Sequence, residues 1–283
     1  MPPTLSDYNY AFGDSGVVLN TDSLPFVDVL QVSGLDNAPS RITTDEHQGM
    51  DGTYIDNPFM SARTIVVTGE VYTSPSDPDT LLKTLRASYQ TNTITPFYFQ
   101  HPGQGLQFIN GKGGGCVYDI DANRRIGKTP IQLTVLCGDP YIYDYPASTG
   151  VVQVPTVTTV GTGFNMAFNV GFGGTIPTFG ATVYNNGTHT AYPKITLNGQ
   201  CTNPTFVDSY GVTMPFNLSM AATDSLVIDC RNRSIVLNGQ VSRRSAMTGL
   251  KWFSVPPGMS TTIFFGAASG TASATVTLNS TYY

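Results

Sequence analysis

Residues 63–72 read RTIVVTGEVY, and nearly every other periodic stretch of the chain is built the same way: a short β-branched run or a period-two alternation, cut off by Gly, Pro, Asn or Asp. Runs of this kind bury one face of an extended strand and then turn, which excludes a coiled coil or a helical bundle and predicts an all-β protein. The punctuation is dense, with 29 glycines and 19 prolines among 283 residues. Strands are expected over 25–35, 63–72, 95–100, 107–110, 117–121 and 130–136 in the first half. In the second half they are expected over 179–184, 194–197, 225–230, 234–237, 250–255, 261–265 and 272–278. Asn186-Gly187 and Asn238-Gly239 suit tight hairpin turns, because both residue types tolerate positive φ.

One segment departs from the pattern. Asp77-Pro78-Asp79, followed by Leu81, Leu82, Leu85 and Tyr89, has a cap, a proline for the first helical position and an apolar stripe, so a single helix is expected over about 77–90. Its expected role is to cover a β face or edge. Asp139-Pro140 closes the first β series, and the Tyr-rich stretch from Tyr141 leads through a Thr/Val/Gly-rich segment to Pro177. The expected division is therefore a domain over 1–140, a linker or leading strands over 141–176 and a second domain over 177–283. A chain of this length buries roughly 75% of its unfolded surface, so no metal or disulfide scaffold is required. Charge divides at the same place: residues 1–140 hold fifteen acidic and eight basic residues, a net of −7, and 141–283 hold four and six, a net of +2.

The residues assemble no reaction centre. The three histidines, His47, His101 and His189, have no second ligand at helical or hairpin spacing, so no catalytic, metal or cofactor site is expected. The run Gly111-Lys112-Gly113-Gly114-Gly115 lacks the Ser or Thr after the lysine and the earlier glycine of a phosphate loop, and reads as a hairpin loop. Asp119 and Asp121 alternate as acids do on a solvated sheet face. Cys116, Cys137, Cys201 and Cys230 show neither metal nor redox spacing and read as buried free thiols. Four sequons, at Asn186, Asn217, Asn232 and Asn279, read as polar turns. The first sixteen residues carry no basic and apolar leader, and no apolar run is long enough to span a bilayer, so the expectation is a soluble chain made in a cytosol, with no membrane partner. Trp252, the only tryptophan, could stack on a sugar, but Leu250, Phe253 and Val255 around it favour a core residue, with Trp252→Ala expected to cost roughly 3 to 5 kcal/mol.

The order of features resembles the distal tail protein family of long-tailed, non-contractile bacteriophages. In the first half the resemblance lies in Val32-Ser33-Gly34-Leu35, Arg41, Gln48-Gly49-Met50-Asp51-Gly52, the strand led by Arg63, the capped helix, the strand from Pro96 and the close Gly138-Asp139-Pro140-Tyr141. In the second half it is denser. There it runs through Tyr192-Pro193-Lys194-Ile195-Thr196-Leu197-Asn198-Gly199, Asn203-Pro204, Leu226-Val227-Ile228-Asp229, Arg233, Asn238-Gly239, Trp252, Pro257-Gly258 and Ile263-Phe264-Phe265. The resemblance implies two β-sandwich domains, an N-terminal ring-forming one with a covering helix and a C-terminal galectin-like one. It also implies a structural, non-enzymatic homo-hexamer at the virion tail tip, assembled in the host cytoplasm. Its implied neighbours are the tail tube protein, a tail-associated fibre or spike protein and, in many members, receptor-binding proteins. DNA would pass through the ring unbound, and the acids Asp45, Glu46, Asp51, Asp56, Asp119 and Asp121 are the candidates for the channel wall. Two other readings of the residues stay open: a lectin-like carbohydrate-binding adhesin, and a tail-tube subunit.

Overall fold

The computed structural model describes residues 2–153 and 180–283, apart from 15, 37, 48, 56–58, 75, 76, 78, 91 and 121. The described residues are mostly β with one α-helix among them, and the chain divides into two compact units, Met1–Tyr145 with Tyr282–Tyr283, and Pro146–Thr281. Most of the expected 141–176 stretch, Phe179 and Pro78 lie outside the described residues.

In the first unit one strand path runs from Val18–Leu19 through Tyr10–Phe12, Thr95–Phe99, Gln107–Tyr118, Lys128–Cys137 and Arg63–Tyr72 to Phe26–Ser33. The pivot is Gln107–Tyr118. Its first part, Gln107 to Gly111, pairs with Thr95–Phe99, and its second part, from Lys112, pairs with Lys128–Cys137. The expected hairpin loop at Gly111–Gly115 is thus corrected: the glycines lie inside a twelve-residue strand, where it leaves one set of partners for the next with a bulge between Gly113 and Gly115. Side chains are excluded there. A Cβ on Gly113 would stand 2.3 Å from the Tyr89 carbonyl oxygen, and one on Gly111 2.6 Å from a Val135 methyl. Residues of both strand sets, among them Phe12, Phe97, Phe99 and Ile109 from the first and Val27, Ile65, Val67, Leu133 and Val135 from the second, share one core. Alternation explains the selection, since Thr129, Ile131, Leu133, Val135 and Cys137 all point inward from one strand.

The helix is shorter than expected, Thr80–Ser88. Asp79 stands at the N-cap but makes no capping bond, because Arg124 pairs with its carboxylate; Asp77 caps instead, accepting from the Thr80 N–H at 3.3 Å and its hydroxyl at 2.9 Å. Leu81, Leu82 and Leu85 face the core, and Tyr89 follows them in, its ring 5.0 Å from that of Phe12.

The second unit is a sandwich. A six-stranded sheet, Ser148–Gln153, Ser273–Leu278, Lys194–Asn198, Ser225–Asp229, Ser234–Leu237 and Val241–Ser242, shares a core with a four-stranded sheet, Ala181–Tyr184, Ser260–Gly266, Thr205–Asp208 and Thr213–Pro215. Ile195, Leu197, Leu226, Ile228 and Val276 meet Val183, Phe206, Ile263 and Phe265 there. Asn238 and Gly239 both take positive φ, +52° and +69°, and make the expected tight turn. Asn186-Gly187 does not: Gly187 is needed because a Cβ would lie 2.0 Å from the Thr281 carbonyl oxygen. The neighbouring Asn185, fully buried, uses both ends of its amide. Its Nδ2 donates to the His189 and Val255 carbonyls at 2.8 and 2.9 Å, and its Oδ1 accepts from the Gly187 and Thr281 N–H groups. The expected strand over 250–255 is also corrected. It is an extended segment with one bridge, Val255 to Ala191, before Pro256 and Pro257 interrupt the supply of donors.

Candidate interaction surfaces

The first unit carries an arm that the sequence pattern does not announce. Ser40–Arg41 pairs with Phe59–Met60, and Thr44–Glu46 pairs with Thr53–Ile55, so these paired strands run out and back as a ribbon of two separate ladders. Every residue of Thr44–Glu46 and Thr53–Ile55 is exposed. A lone ribbon is marginal in water. This one also leaves Ile42, Met50, Tyr54, Ile55 and Phe59 between 51% and 72% exposed, which is the composition of a contact element rather than of a solvated loop.

Three of the six acids proposed for a channel wall are brought together on this arm: Asp45 and Glu46 on its outgoing strand and Asp51 at its turn, all exposed. Asp119 is exposed elsewhere, just beyond the strand Gln107–Tyr118, with its N–H on the Pro130 carbonyl. Asp56 and Asp121 lie outside the described residues. Among the described residues no group of three or more His, Cys, Asp or Glu side chains could hold a metal ion, and no helix is long and apolar enough to cross a membrane.

All four cysteines are buried and unbridged. Burial pushes the Cys137 thiol up to about 11 and that of Cys230 to about 12. Trp252 differs from its expectation. It is half-buried, packed on the second core, with the Arg244 guanidinium 4.8 Å from its ring centroid. Phe253 and Val255 are the buried residues of that segment, and Leu250, 88% exposed, is no part of a core. Truncation at Trp252 therefore removes less buried surface than a core tryptophan would. The sequence reading passed over the residues around it. Tyr192, Arg231, Arg233 and Ser254 line a cavity with Trp252, and only the run of cations between 231 and 251 hinted at it.

Residues 186–282 match the family model described as siphovirus-type tail component, C-terminal domain. The chain carries a phage tail-component domain. The family resemblance drawn from the sequence is borne out there, and the fold beyond that domain is shared with solved tail proteins. The crystal structure of the SPP1 Dit protein, described as a paradigm of the hub adsorption apparatus in phages infecting Gram-positive bacteria, is similar with a TM-score of 0.63 at 15% identity, covering 98% of this chain and 100% of that one. A chain of the phage P2 baseplate in its activated conformation with Ca is similar with a TM-score of 0.56 at 10% identity, covering 97% of this chain and 98% of that one. The same baseplate with Sr gives 0.52 at 9% identity, covering 95% and 98%. No curated protein sequence matches. At these identities the structures speak for the fold, and they do so across both units of this tail component.

Proposed function

We propose that this tail component is a distal tail protein: six copies close into a hub ring at the virion tail tip, joining the tail tube protein to a tail-associated fibre or spike protein, and DNA passes through the ring without being held. The observation that carries the reading is the coincidence, in one chain, of a tail-component domain at 186–282 with a full-length likeness to the SPP1 Dit hub protein. The exposed ribbon between Ser40 and Met60 supports it, because a ring part needs an element that finds its partner outside its own chain. The role is structural, with assembly in the host cytoplasm, and receptor-binding proteins would attach at the outer domain. Electron microscopy of the purified chain, alone and co-expressed with the neighbouring tail proteins, tests this. Six-fold rings are expected. Stacked filaments would favour a tail-tube subunit, and monomers in every mixture would overturn the hub.

A further inference from the structure

The chain contains four Asn-Gly steps, Asn110-Gly111, Asn186-Gly187, Asn198-Gly199 and Asn238-Gly239. Asparagine is thermolabile at such a step, because the glycine nitrogen, with no side chain beside it, can attack the asparagine side-chain carbonyl within the same chain. The fold decides which of the four nitrogens is at liberty to do so. Gly111 is buried inside the strand Gln107–Tyr118, opposite Thr95. The Gly187 N–H donates to Asn185 Oδ1 at 3.0 Å, and the Gly199 N–H to the Asp224 carbonyl at 3.0 Å. Gly239 is different. It is exposed, and among the described residues its N–H donates to nothing. A Cβ there would meet nothing within 4 Å, so no neighbour crowds the turn.

The carbonyl under attack is also prepared. Asn238 Oδ1 accepts the Ser225 N–H at 2.8 Å, and its Nδ2 donates to Asp224 Oδ1 at 2.9 Å. An N–H at that distance polarises the carbonyl and stabilises the oxyanion that forms when a nucleophile adds to it. We propose that Asn238 is a self-modification site at which the folded chain deamidates. The Gly239 nitrogen bonds to the Asn238 Cγ and gives its proton to water, while the carbonyl electron pair moves to Oδ1 beside the Ser225 N–H. That pair returns as the Cγ–Nδ2 bond breaks, and Nδ2 leaves as ammonia with a proton from water. A second water opens the cyclic imide at either carbonyl, giving aspartate or its β-linked isomer. Nothing is oxidised or reduced, and the net exchange is ammonia for water. In the aspartate product a carboxylate oxygen faces Asp224 where Nδ2 had donated, so an attraction becomes a repulsion between like charges. Asp224 gathers the neighbouring loops, its Oδ2 accepting from the Ala221 N–H at 2.8 Å and its carbonyl from the Gly199 N–H. Conversion at Asn238 therefore loosens the loops held there. The proposal concerns the second unit alone and does not rest on the hub reading.

Peptide mapping of the full chain, held in warm, mildly alkaline buffer with and without urea and sampled over weeks, tests this through the mass gained when NH2 becomes OH. Each step is compared with itself, native against unfolded. Asn238 is expected to keep its unfolded-chain rate in the native protein, and Asn110, Asn186 and Asn198 to slow at least about tenfold, as a fold that must open locally before reacting protects them. Asn238→Asp, which carries the product from the start, should lower the melting temperature at neutral pH. The loss should shrink in acid, where one carboxylate of the facing pair takes up a proton. The proposal is overturned if native Asn238 slows as much as the other three, which would mean that the two hydrogen bonds on its amide lock it against attack. It is also overturned if Asn238→Asp melts as the parent does at neutral pH. Should that variant fail to fold, the rates in the parent chain decide alone.

Discussion

Tyr89 buries its whole side chain against Phe12, yet its hydroxyl has no hydrogen-bond partner among the described residues, and burial drives its pKa upward. A buried hydroxyl without a partner forfeits its hydration for nothing, so Tyr89→Phe is expected to raise stability by about 1 kcal/mol. Urea unfolding measures it, and a loss of similar size would show that the hydroxyl does have a partner. Asn185 is the opposite case, four bonds on one amide, and no local pattern in the sequence distinguishes the two kinds of buried polar residue. The cysteines were legible, because small apolar residues without metal or redox spacing go to cores. Their burial has a pH consequence. A folded thiol held at about 11 or 12, as in Cys137 and Cys230, keeps its proton where an unfolded thiol, near 8.5, loses it. This contribution to stability is complete below the unfolded value and is lost as pH rises from there through the folded values. The native protein is therefore expected to leave all four thiols unmodified by an aromatic disulfide reagent at about pH 8, and the urea-unfolded chain to react at all four. Rapid labelling of Cys137 or Cys230 in the native state would contradict the burial.

Strands with one buried face announced themselves at the level of elements, as in Arg63–Tyr72 and Ser234–Leu237, whose bounds match their expected ranges. Strands of two or three residues did not, and neither did the ribbon between Ser40 and Met60, because a strand exposed on both faces has no period to read. The glycine run was misread for a related reason. Composition cannot separate a loop from a strand that must let another backbone pass close by, and the distance that decides it joins residues far apart in sequence, Gly113 and Tyr89. Gly113→Ala should accordingly destabilise by about 2 kcal/mol or more through overpacking. Gly105→Ala, where a Cβ would meet nothing within 4 Å, should be nearly neutral and serves as the control. Equal midpoints for the two variants in urea would show that the helix end is free to retreat from the strand. The cavity was illegible for the same long-range reason, since Tyr192, Arg231 and Trp252 come from three separate segments and meet only once the sandwich has formed.

The uneven charge acquires a meaning on the scale of the whole molecule if six copies surround a channel. Residues 1–140 carry a net of −7, and Asp45, Glu46 and Asp51 share one exposed arm. A lysine or arginine on a channel wall would neutralise passing phosphates and release their counterions, and six-fold repetition would multiply each contact until DNA was retained. Acids do the reverse, and only at the wall, because screening limits their reach to about 8 Å at physiological salt. We therefore propose that the arm's acids, with Asp119 and the neighbouring Asp56 and Asp121, face the lumen and keep it from binding DNA. Reversing three of them, Asp45→Lys, Glu46→Lys and Asp51→Lys, in an otherwise intact phage is expected to slow genome release at low salt, with the rate recovering as salt rises and with adsorption unchanged. The salt dependence is the discriminating part, since damage to an interface would impair assembly or adsorption at every ionic strength. Release that proceeds at the parental rate throughout, or a ring structure with a neutral or basic lumen and these acids on its outer surface, would remove the electrostatic role and leave the arm as a contact element alone.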